Sequence, residues 1–394
     1  MKRVVIVVLL FIVFFIPVAY ADDMIEEVSP SSIFEDLSLE VFNEKEPEIN
    51  ARSAIVMDFD SGRVLYQKNA YIKRPMASTT KVMTAIVAFE NCNLDEVVTV
   101  SRNAALVQGS TINLTTGEML TMKELMYGLL LRSGNDASIA IAEHIGGTEE
   151  GFIQMMNQKA KEIGANNTRF TTPHGLDETG HYSTAYDMAL ITRYALKIPI
   201  FNEIVKTQSI QVGKRSMYNT NEMLTGYAGA DGVKTGYTGK AGRCLITSAT
   251  RDGRRFISVV LFCDNRDQRA LSSKKILDYA FAAYYPQTLL KSEYIGYVPV
   301  YKGFEKKVPV YVEKTITMPI TENEKSELYT RISMPGLLQA PVKQKEIVGT
   351  VSVYLGDKII CESVIRAGKA IKSKNMLQYV LDVFVAWFKL MKYE

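Results

Sequence analysis

The chain reads as an α+β protein: a five-stranded antiparallel sheet interrupted by a helical block, then a small C-terminal β domain and an amphipathic tail helix. Three observations carry that expectation. β-rich runs with hairpin turns flank a long stretch of helical apolar spacing, residues after Pro286 are strand-like, and residues 369–394 repeat apolar side chains at helical intervals. The 394 residues, 47% hydrophobic and 23% charged, suffice for more than one core. A net charge of +3 leaves no nucleic-acid footprint. Three His without HExxH and four Cys without CxxC argue against a zinc hydrolase or a disulfide-dense scaffold. No cofactor fingerprint is present, so neither a cofactor nor a catalytic metal is expected.

Residues 1–21 begin with Lys2 and Arg3, continue as an apolar run over 4–18, and end Ala19, Tyr20, Ala21. This is the pattern of a cleaved secretory signal peptide. Residues 22–48 carry ten acidic residues against one Lys and read as a solvated tether. A first folded unit is expected over 49–286. Its strands are residues 53–59 and 64–67, joined by a turn at Asp60, Ser61, Gly62 and Arg63, then 232–238, 243–250 and 255–263, the last two separated by Asp252 and Gly253. Between them, residues 82–90, 122–132, 137–145, 151–163 and 185–196 have apolar faces at helical spacing. Thr121 with Glu124 forms a capping-box pattern, and Gly146 and Gly164 are helix stops. A last helix spans 272–285. The small β domain covers 287–368, and the tail helix 369–394 lies in a lipid interface, its basic margin and Trp387 near the headgroups. Export permits disulfides among Cys92, Cys244, Cys263 and Cys361, but no spacing selects among three pairings, and four buried thiols fit equally well.

The chemistry concentrates in three short motifs. Ser78 at the head of a helix, with Lys81 three residues on, places a hydroxyl and an amine over one face. A serine needs an adjacent base to become a nucleophile, and a neutral lysine amine can be that base. Ser133, Gly134 and Asn135 fall at the stop between two helices, where a loop can aim Ser133 Oγ and the Asn135 amide into a cleft. Lys234, Thr235 and Gly236 lie on a β run, where an edge strand can pair with an extended peptide and hold its carboxylate, Gly236 allowing close approach. Ser-x-x-Lys alone is weak, since Ser272, Ser273, Lys274 and Lys275 repeat it on what reads as a solvated helix face.

Together, and in this order, the three motifs resemble the Ser-x-x-Lys, Ser-x-Asn and Lys-Thr-Gly set of serine penicillin-recognising enzymes. Residues 76–84, 174–177 (His-Gly-Leu-Asp) and 234–242 resemble low-molecular-mass penicillin-binding proteins of the D-alanyl-D-alanine carboxypeptidase family, and the similarity runs from about Ala51 to the chain end. The resemblance implies a penicillin-binding/β-lactamase-like fold and removal of the terminal D-Ala from peptidoglycan stem peptides. It implies an acyl-enzyme on Ser78, β-lactams as inhibitors, and an exported protein held at the extracytoplasmic membrane surface. It further implies Lys81 as base, Ser133 as proton relay, and Asn135 as a contact to the substrate backbone. Lys234, Thr235 and Gly236 would line the far wall, and the backbone N–H groups of Ser78 and Tyr237 would form the oxyanion hole. Family members often carry His where Tyr237 stands, a change that keeps the backbone donor. Arg269 is implied as a carboxylate-binding guanidinium, with Arg266 its rival. His174 borders the cleft as a supporting residue, while Asp177 pins its turn; His144 and His181 have no partner in the sequence pattern. Other activities on this fold are DD-endopeptidase, β-lactamase, for which the Glu162 and Asn166 spacing reads as helix surface, and a non-catalytic wall-binding or antibiotic-sensing module.

Overall fold

Both faces of the main sheet are buried, and its sequence alternates to match. Ile55 and Met57 of strand Ser53–Asp58 enter one hydrophobic core, whereas Ala54 and Val56 enter a second. Successive side chains point to opposite faces of a strand, so each strand serves two cores at once. The strand order is Val64–Lys68, Ser53–Asp58, Arg254–Cys263, Gly242–Arg251, Ala230–Thr238, antiparallel throughout. The computed structural model describes residues 46–390. The expected signal peptide and all but the end of the acidic tether lie outside the described residues.

One face of the sheet carries the helical block: Lys81–Asn91, Met122–Leu131, Asn135–Gly146, Glu149–Ile163 and Ala185–Ala195. The Thr121 and Glu124 capping box is formed. Gly164 closes its helix at φ 89° in the left-handed region, whereas Gly146 is still helical and Gly147, at φ 71°, makes the stop. The other face is covered by helix Arg266–Ala283. That helix starts six residues before the sequence expectation, because Asn265 Oδ1 accepts from Gln268 N at 2.8 Å and supplies an N-cap. Ser272 and Ser273 also depart from expectation. They face the sheet, fully buried, with Ser273 Oγ bonding Ser258 Oγ at 2.6 Å, so the serines of this second Ser-x-x-Lys are core while Lys275 stays exposed on the solvated side of the helix.

Beyond it, strand Tyr285–Leu290 pairs with Ile316–Ile320, and a separate six-stranded sheet packs around a Val-rich core. Pro286 is the second residue of the first of these strands, paired with Pro319, so the strands of the β unit begin at Tyr285, two residues before the expected 287. At the other end, Ile371 is 2% exposed and bridges to Val342, so residues up to Ser373 belong to the β unit and the tail helix, Met376–Leu390, begins later than 369. All four cysteines are free, Cys244 and Cys263 fully buried.

Candidate active site

The first functional element is a tight 3₁₀ turn, Ala77–Thr80, leading into helix Lys81–Asn91. Ala77 holds a left-handed φ of 48°, rare for a residue with a Cβ, and this places the partly exposed Ser78 at the mouth of a cleft. Lys81 is fully buried beneath it. Its Nζ lies 3.0 Å from Ser78 Oγ, 2.8 Å from Asn135 Oδ1 and 2.7 Å from the carbonyl oxygen of His174. A neutral amine offers two N–H donors and one lone pair. In that neutral form the pure acceptors Asn135 Oδ1 and His174 O can take the two donors while the lone pair faces the Ser78 hydroxyl. The triangle therefore suits an amine that accepts the serine proton.

Each corner of that triangle is braced. Asn135 Nδ2 donates to Gln108 O at 2.7 Å, fixing the amide so that Oδ1 faces Lys81. Asp136, buried beside it, accepts from the backbone N–H groups of Ile112 and Leu114 and ties the 108–114 loop to the start of helix Asn135–Gly146. Ser133 has a left-handed φ of 61°, and its buried Oγ has no hydrogen-bond partner among the described residues. A buried hydroxyl without a partner at a cleft is poised for a group that is not part of the chain.

His174 contributes its carbonyl. Its ring is buried, Nδ1 accepts from Leu176 N at 3.1 Å, and burial, then the Lys81 charge, push its pKa down to about 3. His181 was without an assigned partner in the sequence. Its Nδ1 accepts from Thr171 N at 3.0 Å, so Nε2 carries the proton and donates to Thr80 Oγ1 at 2.8 Å, buttressing the Ala77–Thr80 turn. Gly175 (φ 90°) is confined by the same turn, since a Cβ there would sit 2.1 Å from Ala77 O. Asp177 does pin this loop: Oδ1 accepts from Thr238 Oγ1 at 2.7 Å and Oδ2 from Lys240 N at 3.3 Å.

The opposite wall is the edge strand Ala230–Thr238. An edge strand presents unpaired backbone donors and acceptors to the cleft. Gly236 is the point of closest approach: a Cβ there would lie 3.0 Å from Ser78 N and 3.1 Å from Thr79 N. This places the Tyr237 end of the strand beside the Ser78 backbone, where two N–H groups from separate elements can converge on one oxygen. Lys234 and Thr235 are each 1% exposed, with Thr235 Oγ1 sharing a hydrogen bond of 2.8 Å with Thr220. The Tyr237 ring is covered by Arg243, whose guanidinium carbon stands 3.9 Å from the ring centroid.

Arg269 does meet a carboxylate, but that of Glu222, which no spacing in the sequence signalled. Nε and Nη2 reach it at 2.9–3.0 Å in a pair buried on both sides. Arg266, the rival, is the half-exposed first residue of the same helix. Glu162 is exposed and salt-bridged to Lys159 at 2.7 Å, as its helix-surface reading requires. The structure thus gathers Ser78, Asn135 and His174 around the Lys81 nitrogen and brings Gly236 against the Ala77–Thr80 turn.

Comparison with known proteins agrees with this geometry. Residues 40–265 match the D-alanyl-D-alanine carboxypeptidase family, and residues 284–373 match the penicillin-binding protein 5 C-terminal domain. The chain is 35% identical to D-alanyl-D-alanine carboxypeptidase DacF of Bacillus subtilis, over 86% of this chain and 90% of that one. It is 31% identical to D-alanyl-D-alanine carboxypeptidase DacA of Escherichia coli, over 90% and 93% respectively. Among solved structures, penicillin-binding protein 5 of Haemophilus influenzae superposes with a TM-score of 0.76 at 30% identity, over 84% of this chain and 99% of that one.

Proposed function

This chain belongs to the D-alanyl-D-alanine carboxypeptidase family and is a serine-type DD-carboxypeptidase, and we propose that Ser78 is its nucleophile and Lys81 the base that deprotonates it. The observation that carries the assignment is the 3.0 Å approach of Lys81 Nζ to Ser78 Oγ, with the acceptors Asn135 Oδ1 and His174 O also against the amine.

The substrate is a peptidoglycan stem peptide ending in D-Ala-D-Ala. Its backbone lies antiparallel to the edge strand Ala230–Thr238, held on the far side by the Asn135 amide. Its terminal carboxylate is taken by Thr235 with Lys234, and Arg269, whose charge Glu222 already balances, contributes to that pocket through the orientation of its guanidinium. Ser78 Oγ attacks the penultimate carbonyl carbon as its proton passes to Lys81. The carbonyl oxygen becomes an oxyanion between the N–H groups of Ser78 and Tyr237. When the C–N bond breaks, Ser133 Oγ relays a proton to the departing D-alanine amine, leaving an ester on Ser78. Water then attacks the ester, and the proton it loses restores the serine through Lys81. A β-lactam acylates the same oxygen as its ring C–N bond breaks, and the freed amine stays tethered where a leaving group would depart.

Two features support action outside the cytoplasm at a membrane: the signal-peptide pattern of residues 1–21 and the apolar tail helix. The decisive test is Ser78→Ala. The variant should keep the wild-type circular dichroism and lose all covalent labelling by a fluorescent penicillin, and peptide mass spectrometry of the labelled wild type should place the adduct on Ser78. Label persisting on the variant would remove the assignment.

A further inference from the structure

Away from the cleft, at the opposite ends of the two helices that begin with Lys81 and Asn135, three side chains of mixed chemistry converge. Cys92 caps helix Lys81–Asn91, and His144 stands in the last turn of Asn135–Gly146. Glu96 lies on the segment that leads from the first helix to strand Val97–Thr99. Cys92 Sγ is 3.3 Å from Glu96 Oε2, His144 Nε2 is 2.8 Å from Glu96 Oε1, and one ligand atom from each residue falls within 4.8 Å of the others.

We propose that Cys92, Glu96 and His144 form a binding site for a borderline divalent cation, Zn²⁺ foremost, that clamps the ends of these two helices together. The donor set selects the ion class. One thiolate sulfur, one imidazole nitrogen and one carboxylate oxygen suit Zn²⁺, whereas Mg²⁺ and Ca²⁺ call for oxygen alone. The spacing is right as well. Metal–ligand bonds of about 2.0–2.3 Å put ligand atoms of a tetrahedral site roughly 3.3–3.7 Å apart, so the two contacts to Glu96 need to open by up to about half an ångström, while Cys92 Sγ and His144 Nε2, within 4.8 Å of each other, need to close by up to about 1 Å. A second, independent feature favours positive charge here. Both helices point their C-terminal ends, the negative ends of their dipoles, at this place.

The backbone around the ligands is already fixed, which limits the ordering that binding requires. Glu96 O accepts from Met122 N at 2.8 Å, Leu94 O accepts from Lys123 N at 2.9 Å, and Cys92 N donates to Ala88 O at 3.1 Å. On binding, the Cys92 thiol releases its proton to solvent. His144 turns the lone pair of Nε2 to the ion and keeps its proton on Nδ1. With His144 side chain 25% and Glu96 49% exposed, the fourth position opens to water. An open three-ligand site is a clamp of moderate affinity rather than a buried structural zinc. The helices it joins position Lys81 and Asn135 about 13–16 Å away at 1.5 Å per residue.

The test is titration of the full-length chain with Co²⁺, whose thiolate-to-metal charge-transfer absorption reports sulfur ligation directly. One Co²⁺ per chain should produce the band, Zn²⁺ should displace it, and Zn²⁺ should raise the melting temperature. Cys92→Ser should abolish the band and His144→Ala should weaken binding at least tenfold, both variants keeping fluorescent-penicillin labelling in metal-free buffer as proof of the fold. A band absent from the wild type, or one unchanged in Cys92→Ser and so due to another cysteine, would overturn the site. Equal Zn²⁺ stabilisation of wild type and both variants would do the same.

Discussion

Gly236 owes its identity to the narrow space between the edge strand and the Ser78 turn. A methyl group at its Cβ position would meet Ser78 N at 3.0 Å and Thr79 N at 3.1 Å, both backbone atoms of the nucleophile turn. Gly236→Ala should therefore displace the oxyanion donors by a few tenths of an ångström and slow acylation by a nitrocefin-type reporter about 10- to 100-fold, while the melting temperature moves little. Unchanged acylation would mean that strand and turn separate freely. A second residue-scale prediction concerns acid. His174 is held down to about 3 and His181 to about 4, burial being the leading cause in both and the Lys81 charge the next. Both folded values lie below the ordinary 6.5, so the unfolded chain binds more protons between them. Their contribution is complete above about pH 6.5 and is lost as pH falls, by up to about 1.4 kcal/mol per pH unit for each ring. Urea midpoints measured from pH 7 to pH 5 should decline, and His181→Asn should decline less steeply; parallel profiles would contradict the burial argument. At this scale the sequence revealed what lies within one helical turn. Ser78 and Lys81 announce themselves by spacing. The His174 carbonyl does not, because the bond to Lys81 spans 93 positions and uses a backbone atom that every residue possesses.

Elements were legible where their period was long and their ends marked by capping side chains. The five strands of the main sheet and the helices of the block fall within a few residues of their expected bounds, with helix Arg266–Ala283 the exception at its N-terminus. The short hairpin Ser209–Val212 with Arg215–Tyr218 and the pair Val97–Thr99 with Met119–Thr121 went unseen, since three or four residues are too few to establish a period of two. Helix Pro199–Lys206, begun by Pro at its first turn, was also missed. The loop carrying His174 is an element of another kind, held by its neighbours. Asp177 fastens it to the end of the edge strand through Thr238 and Lys240, and Gly175 seats it on Ala77. Asp177→Ala removes both fastenings and leaves Thr238 Oγ1 without that acceptor. We expect a stability loss of about 1–3 kcal/mol and, because the loop supplies a carbonyl to Lys81, a several-fold fall in the acylation rate. Denaturant unfolding and stopped-flow labelling measure the two. A stability loss with no kinetic change would separate the loop's anchoring from the amine it braces.

At the scale of the whole molecule the question is how a peptidase with a separate β unit meets its substrate at a surface. Helix Met376–Leu390 exposes Leu377, Phe384, Trp387 and Phe388, each more than half accessible, so its apolar side chains are not packed against the β unit. Its 15 residues extend about 22 Å at 1.5 Å per residue, short of a hydrocarbon core of about 30 Å. No helix among the described residues is long and apolar enough to cross a membrane. At 100° per residue Gln378 and Asp382 share a sector of about 40°, a narrow polar stripe beside the exposed apolar side chains. We propose that this helix lies in a lipid interface with the stripe toward water. Met391 and Tyr393, part of the expected apolar and aromatic pattern, lie outside the described residues. The packing of Ile371 fixes where the tail can be cut. A truncation at 369 would remove a core side chain and confuse unfolding with release, whereas one after Asn375 spares the bridges that Ile371 and Ser373 make to Val342 and Gly303. The protein ending at Asn375 should keep its penicillin labelling rate and lose at least tenfold in partitioning onto vesicles of anionic phospholipid, scored by flotation. Each large apolar side chain withdrawn from water contributes about 1.5–3 kcal/mol when fully buried, so losing several cannot leave binding intact if they hold the protein there. Flotation that survives this cut would move the attachment to another surface and leave the helix without a membrane role.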